Sequence, residues 1–275
     1  MSLDQYAVFG SPIQHSKSPK IHRLFAKQTN QRLEYTAQEV KPENFQAVVT
    51  QFFEQGGKGL NCTVPLKELA FQFATQKTAR ATAAKAVNTL IKQADGSILG
   101  DNTDGVGLVR DLKQNHGIQL AGQRILILGA GGATRGILNP LLEEKPDSLI
   151  VANRTSEKAW QLAIEFNHSF TGCGFDDLHE LPFDLIVNAT SASLQNQLPA
   201  ISEHLLAKNG VCYDLAYGDK PTAFVNWGMT QNARKSLDGL GMLVEQAAEA
   251  FFLWRDVRPN TAEVIELLNV ERFQN

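Results

Sequence analysis

Short runs of apolar, largely β-branched residues recur along the chain, separated by longer stretches in which apolar positions return every three or four residues. The short runs predict strands at residues 6–9, 34–40, 59–64, 86–91, 125–128, 149–152, 185–188 and 211–215. The longer stretches predict helices, among them 20–29, 43–55, 134–144 and 157–166. Strand–helix alternation of this kind implies an α/β protein with parallel or mixed sheets under covering helices. Ile125-Leu-Ile-Leu128 is apolar on both faces, as a buried parallel strand must be. Residues 104–239 therefore read as a doubly wound nucleotide-binding domain, flanked by residues 1–103 and 240–275, which form one discontinuous domain with a mixed sheet. The last helix supports that division: Pro259-Asn260-Thr261 offers a cap, and Val264, Ile265, Leu267 and Leu268 make an apolar stripe. The cleft between two such domains is the expected place for a ligand.

Composition alters this picture by exclusion. With 275 residues, 43% of them apolar and 20% charged, the chain has room for two modest cores. A net charge of -3 without basic runs argues against a nucleic-acid or membrane partner. Cys62, Cys173 and Cys212 are odd in number and share no CxxC spacing, which argues against disulfides and a metal site and fits a reducing cytoplasm. Met1-Ser-Leu-Asp4 runs straight into the first strand, leaving no room for a signal peptide, and no apolar run is long enough to span a bilayer.

Two places carry nucleotide chemistry. Gly129-Ala130-Gly131-Gly132-Ala133 follows the 125–128 strand and opens a helix. Glycines there let backbone N–H groups approach a pyrophosphate at the positive helix end. The third glycine of the usual G-x-G-x-x-G falls on Thr134. At the end of the next strand, an NAD enzyme would carry an acid for the ribose hydroxyl. This chain has Asn153-Arg154-Thr155, then Lys158 one turn on, a set suited to the 2′-phosphate of NADP. The fold expected is thus a discontinuous α/β substrate domain with a Rossmann-like NADP-binding domain.

Four further segments hold polar residues that structure alone does not require. In Ser16-Lys-Ser18-Pro19, the proline suits a first helical turn and makes Ser18 a natural N-cap, beside which two hydroxyls could hold a carboxylate. In Asn61-Cys-Thr63-Val-Pro-Leu-Lys67, a cation stands near a helix start, where the macrodipole opposes it. Asn88 lies in an apolar strand, where an amide needs a reason to be buried. Gly100-Asp-Asn-Thr-Asp104-Gly105 is rich in turn and cap formers, so Asp104 serves equally well as an N-cap.

In this order, SKSP, NCTVPLK, AVNT, GDNTDG, GAGGA, NRT, NATS and DGLGMLVEQAA resemble the bacterial shikimate dehydrogenase family over nearly the whole chain. The resemblance implies NADP-dependent reduction of 3-dehydroshikimate to shikimate, with two α/β domains and the active site between them. It implies Lys67 and Asp104 as the catalytic pair. It places Ser16 and Ser18 at the substrate carboxylate, and Asn61, Thr63, Asn88, Tyr217 and Gln246 around the ring hydroxyls and carboxylate. Gly129 to Ala133 match the pyrophosphate loop, Asn153, Arg154, Thr155 and Lys158 the phosphate clamp, and Leu215 and Gly239 positions near the nicotinamide. Members often have Arg at Lys158, and the stretch Asn188-Ala-Thr-Ser-Ala-Ser-Leu194 usually continues with Ser-Gly, where this chain has Gln195-Asn196. A closed cleft favours the neutral form of a lysine, and a neighbouring carboxylate favours the charged form, so Lys67 serves either as charge stabiliser or as proton shuttle. Two rivals remain from other readings of the same segments: a quinate/shikimate dehydrogenase using NAD, and a non-catalytic sensor of NADP or shikimate. Arg154 opposes the first, and retention of both Lys67 and Asp104 opposes the second. Monomer and homodimer are both compatible with the sequence.

Overall fold

The first apolar run becomes β1 (Asp4–Gly10), in which Tyr6, Ala7, Val8 and Phe9 are all buried because both faces of the strand are covered. The computed structural model describes residues 3–178 and 182–272. α1 (Ser18–Gln28) carries the chain to β2 (Leu33–Glu39), and α2 (Phe45–Glu54) to β3 (Gly57–Cys62). Both strands pair in parallel with β1. Then follow α3 (Lys67–Phe73), β4 (Gln76–Lys77), α4 (Ala79–Ala84), β5 (Thr89–Lys92) and β6 (Ile98–Asp101). The sheet order is β2-β1-β3-β5-β6-β4, with β5 antiparallel to β3 and β6 and the other pairs parallel.

Two local readings change. Ser18 opens α1 instead of capping it. Lys17 holds the cap position, and the Ser18 N–H donates to Ser16 Oγ at 3.3 Å, so the upstream serine takes the capping bond. The strand predicted from 86 starts only at Thr89: the chain bends at Asn88, although its N–H still donates to Asp101 O at 3.0 Å and its C=O accepts from Cys62 N at 2.9 Å.

α5 (Asp104–Arg110) continues into a π-helical turn, Asp111–Asn115, before β7 (Arg124–Leu128). The chain then runs through α6 (Gly132–Glu143), β8 (Ser148–Asn153), α7 (Ser156–Glu165), β9 (Thr171–Gly174), β10 (Phe183–Asn188), β11 (Leu206–Asp214), α8 (Ala223–Thr230) and β12 (Lys235–Leu237). Every pair in this second sheet is parallel, in the order β12-β11-β10-β7-β8-β9. That is the doubly wound order, with the direction of winding reversing between β7 and β10. Leu126 and Leu128 point into one helical layer and Ile125 and Ile127 into the other, all at 0% exposure. α9 (Leu240–Arg255) and α10 (Ala262–Arg272) close the chain.

Contacts divide the chain into Met1–Gly107 with Leu243–Glu266, and Leu108–Met242 with Leu267–Asn275. The limits differ from 103/104 and 239/240 because α5 and α9 each begin in one unit and end in the other. α10, read from sequence as wholly part of the discontinuous unit, is divided: Arg272 pairs with Asp238 of the central unit. Leu267, expected on its apolar stripe, is 38% exposed, while Val264 and Leu268 are buried. Among the described residues, no helix is long and apolar enough to cross a membrane.

His22 on α1 is fully enclosed by aromatic rings. It stacks on Tyr35 with centroids 4.0 Å apart and planes 6° from parallel, and Phe25, Phe251 and Trp254 surround it. Neither ring nitrogen has a hydrogen-bond partner, and burial lowers its pKa to about 3. The unfolded chain protonates this ring near about pH 6.5, so below that value it takes up a proton that the folded state refuses. Stability is therefore expected to fall as pH drops, by about 1.4 kcal/mol per unit from this residue alone, until folded His22 itself titrates. Denaturant unfolding between pH 7.5 and 4 checks this, the His22→Phe variant losing that part of the slope.

Candidate active site

Lys67 is the first residue of α3, and the loop before it is tied to β1 by Thr63 N donating to Phe9 O at 2.9 Å. Its Nζ donates to Asp104 Oδ2 at 2.5 Å, with side chains 26% and 11% exposed. Asp104 sits in the first turn of α5, and Asn102 Oδ1 accepts from its N–H at 3.2 Å. The other carboxylate oxygen, Oδ1, accepts from Asn88 Nδ2 at 2.9 Å. Asn88 Nδ2 also faces Thr103 Oγ1 at 2.9 Å and Gln246 Oε1 at 3.2 Å, while Asn88 Oδ1 accepts from Thr103 N at 2.9 Å. The buried amide is thus accounted for on both ends.

The network continues to Asn61, whose Nδ2 donates to Asn88 O and Thr89 Oγ1, both at 3.0 Å. Asn61 Oδ1 accepts from Tyr35 Oη at 2.7 Å. Burial pushes the Tyr35 phenol well above its usual range, and a hydrogen bond with Ser18 opposes this. Sequence reading missed Tyr35, which looks like an ordinary aromatic in a strand. One connected set therefore holds Lys67, Asp104, Asn88, Gln246, Asn61 and Ser18. Ser16 joins through the Ser18 N–H, and Thr63 lies on the Lys67 loop with its methyl packed over Gly10. Gln246 reaches the set because Gly107 lets α5 approach α9: a Cβ there would lie 2.8 Å from Gln246 N.

The second group belongs to the central unit. Gly129 has φ +102°, a conformation that favours glycine, and its N–H donates to Ala152 O at 2.7 Å. Ala130 N donates to Asn153 Oδ1 at 3.3 Å, tying the loop to the end of β8. Thr134, in place of the third glycine, is buried and donates to Gly129 O at 2.7 Å, so its hydroxyl closes the turn. A Cβ on Gly131 or Gly132 would meet open space, so nothing in the fold itself requires glycine there. Those N–H groups open α6 and form the cradle a pyrophosphate needs. Arg154, Thr155 and Lys158 are exposed around the end of β8, with no side-chain partner among the described residues. Leu215 and Tyr217 follow β11, and burial raises the Tyr217 pKa, with Asp238 adding to it. A Cβ on Gly239 would lie 2.2 Å from Leu215 O, and Gly239 N donates to Ala216 O at 3.1 Å. Among the described residues, no group of His, Cys, Asp or Glu could hold a metal ion.

Three family descriptions cover most of the chain: the shikimate dehydrogenase substrate binding domain over residues 8–90, shikimate/quinate 5-dehydrogenase over 111–212, and the shikimate 5′-dehydrogenase C-terminal domain over 239–268. A shikimate dehydrogenase (NADP(+)) of Methylococcus capsulatus is 59% identical over 271 residues, 98% of this chain and 97% of that protein. The chain belongs to the shikimate dehydrogenase family. Among solved structures, an Ael1 enzyme from Pseudomonas putida superposes with a TM-score of 0.92 at 48% identity, covering 96% of this chain and 98% of that one. The shikimate 5-dehydrogenase of Thermus thermophilus, solved with NADP(H) and shikimate, gives 0.88 at 30% identity, covering 98% of this chain and 100% of that one.

Where Ser-Gly is expected after Leu194 this chain has Gln195-Asn196, and Asn196 takes a left-handed φ of +53° that a glycine would accept. The segment Ala192–Gln195 forms a 3-10 turn, and Ser193 Oγ donates to Asp214 Oδ2 at 2.5 Å. Asp214 ends β11 fully buried and also accepts from Thr222 Oγ1 at 2.6 Å, Ala216 N at 3.0 Å and Asn188 Nδ2 at 3.2 Å. Burial pushes its carboxyl up, and the four donors pull it back. Sequence reading missed this aspartate, although a charge ending an apolar strand was the available signal. Gly239→Ala is expected to destabilise the protein by about 1–3 kcal/mol, since backbone must move. Gly131→Ala, entering open space, should change stability by less than about 0.5 kcal/mol; denaturant unfolding of both variants checks the contrast.

Proposed function

We propose that the protein is an NADP-dependent shikimate dehydrogenase that reversibly reduces 3-dehydroshikimate to shikimate. The observation that carries this reading is the direct contact of Lys67 Nζ with Asp104 Oδ2 at 2.5 Å, in a unit matched by the family's substrate-binding description. Residues 1–103 and 240–275 act as the substrate and catalytic domain, and 104–239 as the NADP domain. Ser16 and Ser18 hold the substrate carboxylate at the start of α1, where free N–H groups and the dipole add their attraction. Asn61, Thr63, Asn88, Tyr217 and Gln246 take the ring hydroxyls and share the carboxylate.

As the ketone is reduced, its oxygen gains negative charge. Lys67 sets a positive charge against that oxygen and passes it a proton, which solvent then returns to the amine. Asp104 orients the ammonium, and Asn88 fixes the second oxygen of Asp104 so that the carboxylate cannot rotate away. In the reverse direction Lys67 receives the hydroxyl proton. Bound NADPH supplies the hydride. Gly129, Ala130, Gly131, Gly132 and Ala133 hold its pyrophosphate, Asn153, Arg154, Thr155 and Lys158 its 2′-phosphate, and Leu215 and Gly239 border the nicotinamide. The protein works on these small molecules in the cytoplasm, without a nucleic-acid or membrane partner, as a monomer or homodimer.

Absorbance of the reduced nicotinamide is expected to rise rapidly with shikimate and NADP, and slowly with quinate or NAD. No turnover with any pairing, despite NADP binding, would leave the sensor reading instead. Lys67→Ala should lower kcat by roughly two to four powers of ten. Arg154→Ala should narrow the preference for NADP over NAD by about 10–100-fold, the worth of a charge-assisted hydrogen bond. Gly131→Ala should weaken NADP binding at least tenfold while the protein stays folded, because the added methyl fills the cradle.

A further inference from the structure

We propose that Arg80 is a positioning residue, holding the segment that carries Asp104 and the helix that carries Gln246 in fixed relation. The inference rests on the catalytic reading of Lys67 and Asp104 given above. Asp101 ends β6, three residues before Asp104, and its side chain is 2% exposed. Its Oδ1 accepts from Arg80 Nε at 2.6 Å, Thr78 Oγ1 at 2.7 Å and Asn102 N at 2.7 Å. Its Oδ2 accepts from Arg80 Nη2 at 2.7 Å, so the guanidinium grips the carboxylate with both arms.

The same Nη2 reaches Glu249 Oε1 at 3.1 Å. Glu249 lies one helical turn beyond Gln246 on α9, and its other oxygen accepts from Arg258 Nη2 at 2.7 Å. One cation from α4 thus ties together the two segments that Asn88 joins on their other side, through Thr103, Asp104 and Gln246. Asn102 carries the restraint onward. Its N–H is held by Asp101, its Nδ2 donates to Ala86 O at 3.1 Å, and its Oδ1 receives the Asp104 N–H at 3.2 Å.

Holding the fold together does not by itself call for this arrangement. α4 is six residues long, capped by Thr78, and already packs Ala81 into the apolar cluster with Val87, Leu90 and Ile98. Only a planar fork can serve Asp101 in bidentate fashion and reach Glu249. Small displacements of a catalytic group cost large factors in rate, and Arg80 anchors the start of the segment whose far end, Asp104, meets Lys67.

Steady-state kinetics of Arg80→Met and Arg80→Lys, each with a thermal melt, test the proposal. For Arg80→Met, kcat should fall about 10–100-fold and KM for shikimate rise several-fold, with KM for NADP within about twofold of wild type. Arg80→Lys should recover part of kcat, because it restores charge but not the fork. Wild-type kinetics in a folded Arg80→Met would overturn the proposal, as would equal increases in both KM values or a loss of activity that merely tracks the folded fraction. If Arg80→Met does not fold, Arg80→Lys decides: a loss confined to kcat and the shikimate KM supports positioning, and unchanged kinetics overturn it. The wild-type control separates the two levels, since absence of shikimate oxidation there would sink the functional reading itself.

Discussion

A lysine in the first turn of a helix sits against the positive end of the helix dipole, and in this protein the Asp104 carboxylate 2.5 Å from Lys67 answers that charge. Much of the first unit follows from the need to keep this pair in place. Asp104 itself opens a helix, where its charge is favourable, so one helix start suits its member of the pair and the other does not. Asn88 uses its side-chain amide to hold the second carboxylate oxygen, Asn61 and Thr103 hold Asn88, and Tyr35 holds Asn61. The polar interior is tolerable because nearly every donor and acceptor in it is used.

The central unit solves a different problem. The middle of its sheet is apolar, with Ile125–Leu128 and Leu185–Val187 buried, and the loops beyond the carboxyl ends of the strands are where a doubly wound fold binds ligands. Gly129 turns the chain at φ +102°, Asn153 ties that turn to the neighbouring strand end, and Asp214 gathers the loops after β10 and β11. Ser193 adds a hydroxyl donor to that gathering.

Long apolar runs made the sheets legible: 125–128, 149–152 and 185–188 all lie within observed strands, because burial on both faces leaves an unbroken apolar string. Gln76–Lys77, Ile98–Asp101, Thr171–Gly174 and Lys235–Leu237 escaped notice. They are short, and all four lie at or beside a sheet edge, so neither length nor alternation marks them. The site was legible where a residue contradicts its surroundings. Lys67 opposes a helix dipole and Asn88 interrupts an apolar stretch. Tyr35, Arg80, Asp101 and Asp214 act through partners distant in sequence, and nothing near each of them marks its task. The capping role expected of Ser18 passed to Ser16 for a similar reason, since the choice depends on how the preceding loop turns back.

The first unit is assembled from two stretches that the central unit separates, and this bears on its birth at the ribosome. β1 is synthesised before the central unit, yet Arg255, which donates to Asp4 Oδ2 at 2.5 Å, emerges only after it. So does Trp254, which lies over Gly59 and donates to Leu90 O at 3.1 Å. The central unit has nearly all of its residues in one continuous stretch and can condense while α9 is still being made. Its folding draws the distant ends of the interrupted unit together and shortens the effective loop that must be closed. Until α9 arrives, β1 and β3 wait with the apolar surface that Trp254 later covers bare, so the first unit completes its core last.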